Sequence, residues 1–137
     1  MSCVMRASAA EWNPEDFAAT TTLKIICTYR RGEPKGPGSE KLNENSGLNI
    51  EVSTADFEEF ERQKEEAIVF LQNNREELKR LKLLLDSAPE AMLELDFGTV
   101  NRELPAQSEV IPARLLSLAG ELGISIRISK YVIDNQE

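Results

Sequence analysis

The sequence predicts an α/β fold: a single domain with a four-stranded mixed sheet, elements in the order ββ-α(α)-β-α-β, and helices packed on one face. Three observations carry this prediction. Short runs near residues 23–29, 48–53, 93–97 and 124–128 alternate apolar and polar side chains, the period of a half-buried strand. Between 54 and 85 the apolar residues instead recur at helical spacing. A second amphipathic stretch, opened by Pro112 and closed by Gly123, separates the last two alternating runs, which makes a β-α-β unit with a parallel strand pair.

Residues 1–12 read as a frayed terminus, with Cys3 in a mobile segment. Asn13-Pro14-Glu15-Asp16 is a helix start, with Asn as cap, Pro in the first turn and acids at the positive dipole end; Thr20-Thr21-Thr22 limits this helix to a turn or two. Leu23, Ile25, Cys27 and Tyr29 share one face of the first strand, which makes Cys27 a core thiol. Residues 30–47 change to Gly, Pro, Lys, Glu, Asn and Ser, a long mobile loop that joins this strand to the next as a hairpin. In the second strand Leu48, Ile50 and Val52 point inward.

Ser53-Thr54-Ala55-Asp56 reads as the cap of a helix whose stripe is Phe57, Phe60, Ala67, Ile68 and Leu71. Asn73-Asn74 interrupts the stripe, and Asn74-Arg75-Glu76-Glu77 has the form of a second capping box before Leu78, Leu81, Leu84 and Leu85. A single helix over 54–85 would be about 48 Å long and overhang so small a domain, so the break is favoured. Leu93, Leu95 and Phe97 form the third strand, closed by Gly98; Leu115, Leu116, Leu118, Ala119 and Leu122 mark the next helix. Ile124, Ile126 and Ile128 mark the last strand, extending towards Ile133.

Composition bounds the function. The chain has 137 residues, 24 acidic and 16 basic side chains, no histidine and a formal charge of −8. An acidic balance argues against nucleic acid, whose phosphates need a clustered basic face. Without histidine there is no Ser-His-Asp or Cys-His device, and the commonest zinc ligand is missing. The 2 cysteines are too sparse for a disulfide framework. With neither a secretory leader nor an apolar run long enough to span a bilayer, the chain reads as cytoplasmic, with no membrane partner.

Asp96-Phe97-Gly98 spells the magnesium-binding tripeptide of protein kinases, but the chain lacks every other part of that machinery. Gly32, Gly36 and Gly38 do not make a phosphate cradle, because Pro34 and Pro37 remove backbone donors and no Gly-Lys-Ser/Thr opens a helix. Glu94 and Asp96 are the most informative carboxylates. At i and i+2 on a strand they share the side opposite Leu93, Leu95 and Phe97, where Arg127, Glu51, Asn49 and Lys24 can join them.

Arg31-Gly32-Glu33, Ser46-Gly47-Leu48-Asn49-Ile50, Leu95-Asp96-Phe97-Gly98, the run from Leu115 to Ile124, and Ser129-Lys130-Tyr131 occur in that order along most of the chain. In this the sequence resembles an uncharacterised family of small bacterial α/β domains, similar in outline to immunity proteins that neutralise toxins. The resemblance implies a bacterial origin and the four-stranded fold; it transfers no catalytic residue and no cofactor.

The function expected is therefore non-enzymatic: an acidic module that binds a basic protein, of which an immunity-type inhibitor of a basic toxin is one form. Its contacts would come from the polar sheet face (Glu51, Glu94, Asp96, Arg127) and the acidic helix start (Asp56, Glu58, Glu59, with Glu61, Glu65 and Glu66). Two other readings stand beside it: a carboxylate-dependent enzyme or divalent-metal site on Glu94 and Asp96, and a homo-oligomer joined through the sheet face.

Overall fold

A computed structural model describes residues 2–132. Its elements are β1 (Cys3–Ala9), α1 (Pro14–Thr20), β2 (Ile25–Tyr29), β3 (Ser46–Ser53), α2 (Phe60–Asn73), α3 (Arg75–Asp86), β4 (Met92–Asn101), α4 (Ala113–Glu121) and β5 (Ser125–Val132). They form one mixed sheet in the order β2-β3-β1-β4-β5, antiparallel except for the parallel pair β4–β5. The α/β class, the antiparallel β2–β3 pair and the parallel β4–β5 pair agree with the sequence reading, but the sheet has five strands, not four. The order is β-α-ββ-αα-β-α-β.

The additional strand is the segment read as a frayed terminus. β1 lies at the centre of the sheet, with Cys3 to Ala9 opposite Ser53 to Ser46 on one side and Cys3 to Ser8 opposite Phe97 to Met92 on the other. Cys3, Met5, Ala7 and Ala9 point into the core and are fully buried, whereas Arg6 and Ser8 point to the other face.

In β2 the expected alternation is broken by a bulge. Ile25 pairs with Ile50, but Cys27 pairs with Asn49 and Thr28 with Leu48, so one extra residue between Ile25 and Cys27 reverses the faces. Cys27 is consequently exposed, and the core thiol is Cys3. Tyr29 turns outward and lies over Gly47. A methyl group added at Gly47 would stand 2.6 Å from the Ala7 carbonyl oxygen and collide with the Tyr29 hydroxyl. Gly47→Ala is therefore expected to lower the urea midpoint by an amount equivalent to about 1–3 kcal/mol. Gly36→Ala, with open space around it, should leave the midpoint unchanged.

Asn13 caps α1 as expected, accepting from the Glu15 and Asp16 amides at 3.2 and 3.3 Å. Residues 30–45 are pinned by backbone bonds from Gly32 to Asn43, from Asn43 to Glu33 and from Lys35 to Lys41, with Pro34 bridged to Leu42.

Ser53 does not cap a helix. Its hydroxyl accepts from Ala55 N at 3.0 Å and holds a turn; Asp56 N donates to the Glu59 carboxylate at 3.0 Å, and α2 begins only at Phe60. Phe57 thus leaves the apolar stripe and packs on Tyr131 and over Gly98, which lies inside β4 rather than closing it. α2 and α3 do break at Asn74, though without a capping box: the Asn74 amide donates back to the Phe70 carbonyl at 2.9 Å. Gly123, at φ +68°, follows α4 as a left-handed C-terminal cap. The extension of β5 to Ile133 lies outside the described residues.

All four helices pack against the inner face, where Phe17, Leu48, Ile50, Leu71, Leu78, Leu81, Leu85, Leu95, Phe97 and Leu115 build a single core. Lys64 is buried within this layer. Its ammonium lies 4.5 Å over the Phe60 ring and bonds both the Val110 carbonyl and the Glu61 carboxylate at 2.6 Å, which ties the 102–112 connection to α2.

Candidate functional site

The sequence-selected side chains fall on two surfaces. On the outer sheet face, Glu94 and Asp96 are brought beside Arg6 and Arg127 by the register of β1, β4 and β5. Arg6 Nε donates to Asp96 Oδ2 at 3.0 Å, Arg127 Nε to Glu94 Oε1 at 2.9 Å, and the Ser129 hydroxyl to Asp96 Oδ1 at 2.6 Å. Asn49, with its amide oxygen turned towards Arg6, accepts from Nη1 at 3.2 Å. At the β2 margin Lys24 pairs with Glu51 at 2.6 Å.

Both central carboxylates are only 6% exposed although no helix covers them. The arginine stems and planar forks shield them while matching their charge. The hydrogen bond and charge of Glu94 hold the Arg127 guanidinium above its ordinary pKa. Tyr29, on the same face, has its phenol pushed up by burial.

Electrically this face is self-contained: Arg6, Arg127 and Lys24 match Asp96, Glu94 and Glu51. Among the described residues, no group of three or more His, Cys, Asp or Glu side chains is placed to hold a metal ion. The arrangement is one of ion pairs across the sheet face, each carboxylate already engaged by a neighbouring cation, which stabilises the pairing of the strands.

The second surface surrounds the start of α2. Asp56, Glu58 and Glu59 are exposed there, and Glu61 and Glu65 follow on α2, with Glu66 half-buried against Ser53. Within residues 56–66 only Arg62 and Lys64 oppose them; Arg62 pairs with Glu59 and Glu66, and Lys64 with Glu61. Asp56, Glu58 and Glu65 have no cationic partner among the described residues. The Glu59 carboxyl is held below its ordinary range, first by the hydrogen bond from Asp56 N, so it is anionic in the folded chain at neutral pH.

Beside this acidic run an open groove of about 530 Å³ lies between the end of β3 and α2, lined by Glu51 and Val52 from the strand and Glu65, Glu66, Val69 and Phe70 from the helix. Glu51 is the one sequence-selected residue that belongs to both surfaces. Val69 and Phe70 gave no sequence signal, because Val69 falls outside the buried stripe and the groove exists only where β3 and α2 meet. Arg6 and Ser129 were missed for different reasons. The strand carrying Arg6 has little readable alternation, and a serine on an alternating strand is an ordinary outward residue.

Comparison with models of known protein families, with curated proteins and with solved structures gives no match. Among the described residues, no helix is long and apolar enough to cross a membrane.

Proposed function

We propose that this chain is a non-enzymatic, acidic protein-binding module whose partner is a basic protein, working in a cytoplasmic setting. The observation that carries the reading is the uneven neutralisation of its carboxylates. Those on the sheet face are each matched by a cation, whereas Asp56 and Glu58 just before α2 and Glu65 within it have no cationic partner among the described residues. Unmatched exposed charge costs solvation when a neutral partner covers it, and it speeds and orients the approach of a basic one. Small size, net charge of −8 and the resemblance to immunity-like bacterial domains favour an inhibitor of a basic toxin as the particular form.

The test is affinity capture with the intact chain at low salt and at about 0.5 M salt, where screening shortens to a few ångströms. A stoichiometric basic partner should be held at low salt and released at high salt. The Asp56→Lys/Glu58→Lys/Glu65→Lys variant should lose it, while Arg127→Gln keeps it. Capture unaffected by salt and by charge reversal would overturn the reading.

A further inference from the structure

We propose that the groove between β3 and α2 binds a segment of the basic partner in which apolar side chains are flanked by lysine or arginine. The inference rests on the acidic-module reading and deepens it by naming a site and the chemistry of its occupant.

The groove joins apolar and acidic lining without a basic residue, whereas the smaller clefts at Trp12 and Phe17 and at Leu83 and Leu122 include Arg80 or Lys79 and Lys82. Its apolar lining, Val52, Val69 and Phe70, comes from two elements, and Val69 is 52% exposed on a helix whose other side is core. Its ionisable lining consists of Glu51, Glu65 and Glu66, with no lysine or arginine among the lining residues. Lys24 and Arg62 neutralise Glu51 and Glu66, but Glu65 has no partner among the described residues. A volume of about 530 Å³ falls within the range of ligand-sized clefts. That space suits a few large side chains rather than a whole helix face.

An acidic peptide would meet the unmatched charge of Glu65 and find no basic residue in the lining. A purely polar basic segment would leave Val69 in water. A basic segment with apolar side chains satisfies both properties, as amphipathic segments do in grooves elsewhere.

The probes are three synthetic 12-residue peptides: one of leucine and lysine, the same with glutamate for lysine, and one of glycine and lysine. Each is titrated calorimetrically into the full-length chain and into Val69→Asp and Glu65→Lys variants. Both substitutions are at exposed helix positions. Val69→Asp removes apolar surface while adding negative charge, so it separates the two contributions.

Expected are 1:1 binding of the leucine–lysine peptide and a loss of about tenfold or more in each variant. The glycine–lysine and leucine–glutamate peptides should bind at least as weakly as the variants do. If Val69→Asp binds the leucine–lysine peptide equally or more tightly, binding is by charge alone; the groove is then not the site, and the acidic-module reading stands. If no lysine peptide binds even at low salt, both fall. If the free chain sediments as a dimer that Val69→Asp dissociates, the occupant is a second copy of this chain and the inference is overturned.

Discussion

A chain lacking residues 2–9 is expected not to fold. β1 is hydrogen-bonded to β3 along one edge and to β4 along the other, so its removal separates the β2–β3 pair from the β4–β5 pair. It also takes Cys3, Met5, Ala7 and Ala9 out of the core and exposes the inner faces of Leu48, Ile50, Leu93 and Leu95. A domain of this size is stable by only about 5–15 kcal/mol, and losing two ladders with a row of core side chains exceeds that. A subtler form of the same experiment is Met5→Asp. Met5 is fully buried, and an unpaired carboxylate there should cost about 3–5 kcal/mol. Met5→Leu, which nearly conserves volume, should cost less than about 1.5 kcal/mol. Circular dichroism and urea unfolding read all three. Cooperative unfolding retained after truncation would show that the central strand is dispensable.

That strand is also where the sequence was least legible. Its inward positions are Cys3, Met5, Ala7 and Ala9, but Val4 and Ser8 on the other face are buried as well, and with alanines inside and a valine outside the alternation is nearly silent. β3, β4 and β5 carry leucine, isoleucine and phenylalanine at the same inward positions and could be read directly. The helix boundaries divide in a similar way. Pro112 and Gly123 bracket α4 because their backbone restrictions act locally. The start of α2 was misplaced because Ser53 and Asp56 suit a cap and a turn equally well, and the packing of Phe57 on Gly98 and Tyr131 decides for the turn.

Side-chain placement obeyed the same logic. The i,i+2 spacing of Glu94 and Asp96 sufficed to put them on one face, and the parallel neighbour brought Arg127 to them. No local pattern marks a bulge in Ile25-Ile26-Cys27, so the exchange of roles between the two cysteines was invisible. The groove is a property of β3 and α2 together. Its residues are separated in sequence by the turn at 54–59, and no periodicity connects them.

The exchanged cysteines lead to the second large expected effect: the protein should lose stability in alkali through Cys3. Burial, first, and then the charges of Asp96 and Glu66 push the Cys3 thiol up to about 12 from an ordinary value of 9.0. The folded chain therefore keeps this proton between pH 9 and 12, where the unfolded chain has released it. The unfolded state binds fewer protons over that window, so the stability of the fold falls as pH rises; below pH 9 both states hold the proton and the contribution vanishes. Each unit of pH above about 9 costs about 1.4 kcal/mol, or about 2 kcal/mol by about pH 10.5. The raised Tyr29 phenol adds a decline of the same sign at the upper end of the range. Cys3→Ala should start slightly less stable, because a small cavity replaces the sulfur, yet show a flatter decline. Cys27→Ala, at the exposed thiol, serves as the control. Urea midpoints at about pH 8, 9.5 and 10.5 for the three proteins measure the difference, and native-state thiol titration should find Cys27 reactive and Cys3 silent until the chain unfolds. Identical slopes for the parent and Cys3→Ala would mean that position 3 is open to solvent, and with it the central strand that the first experiment removes.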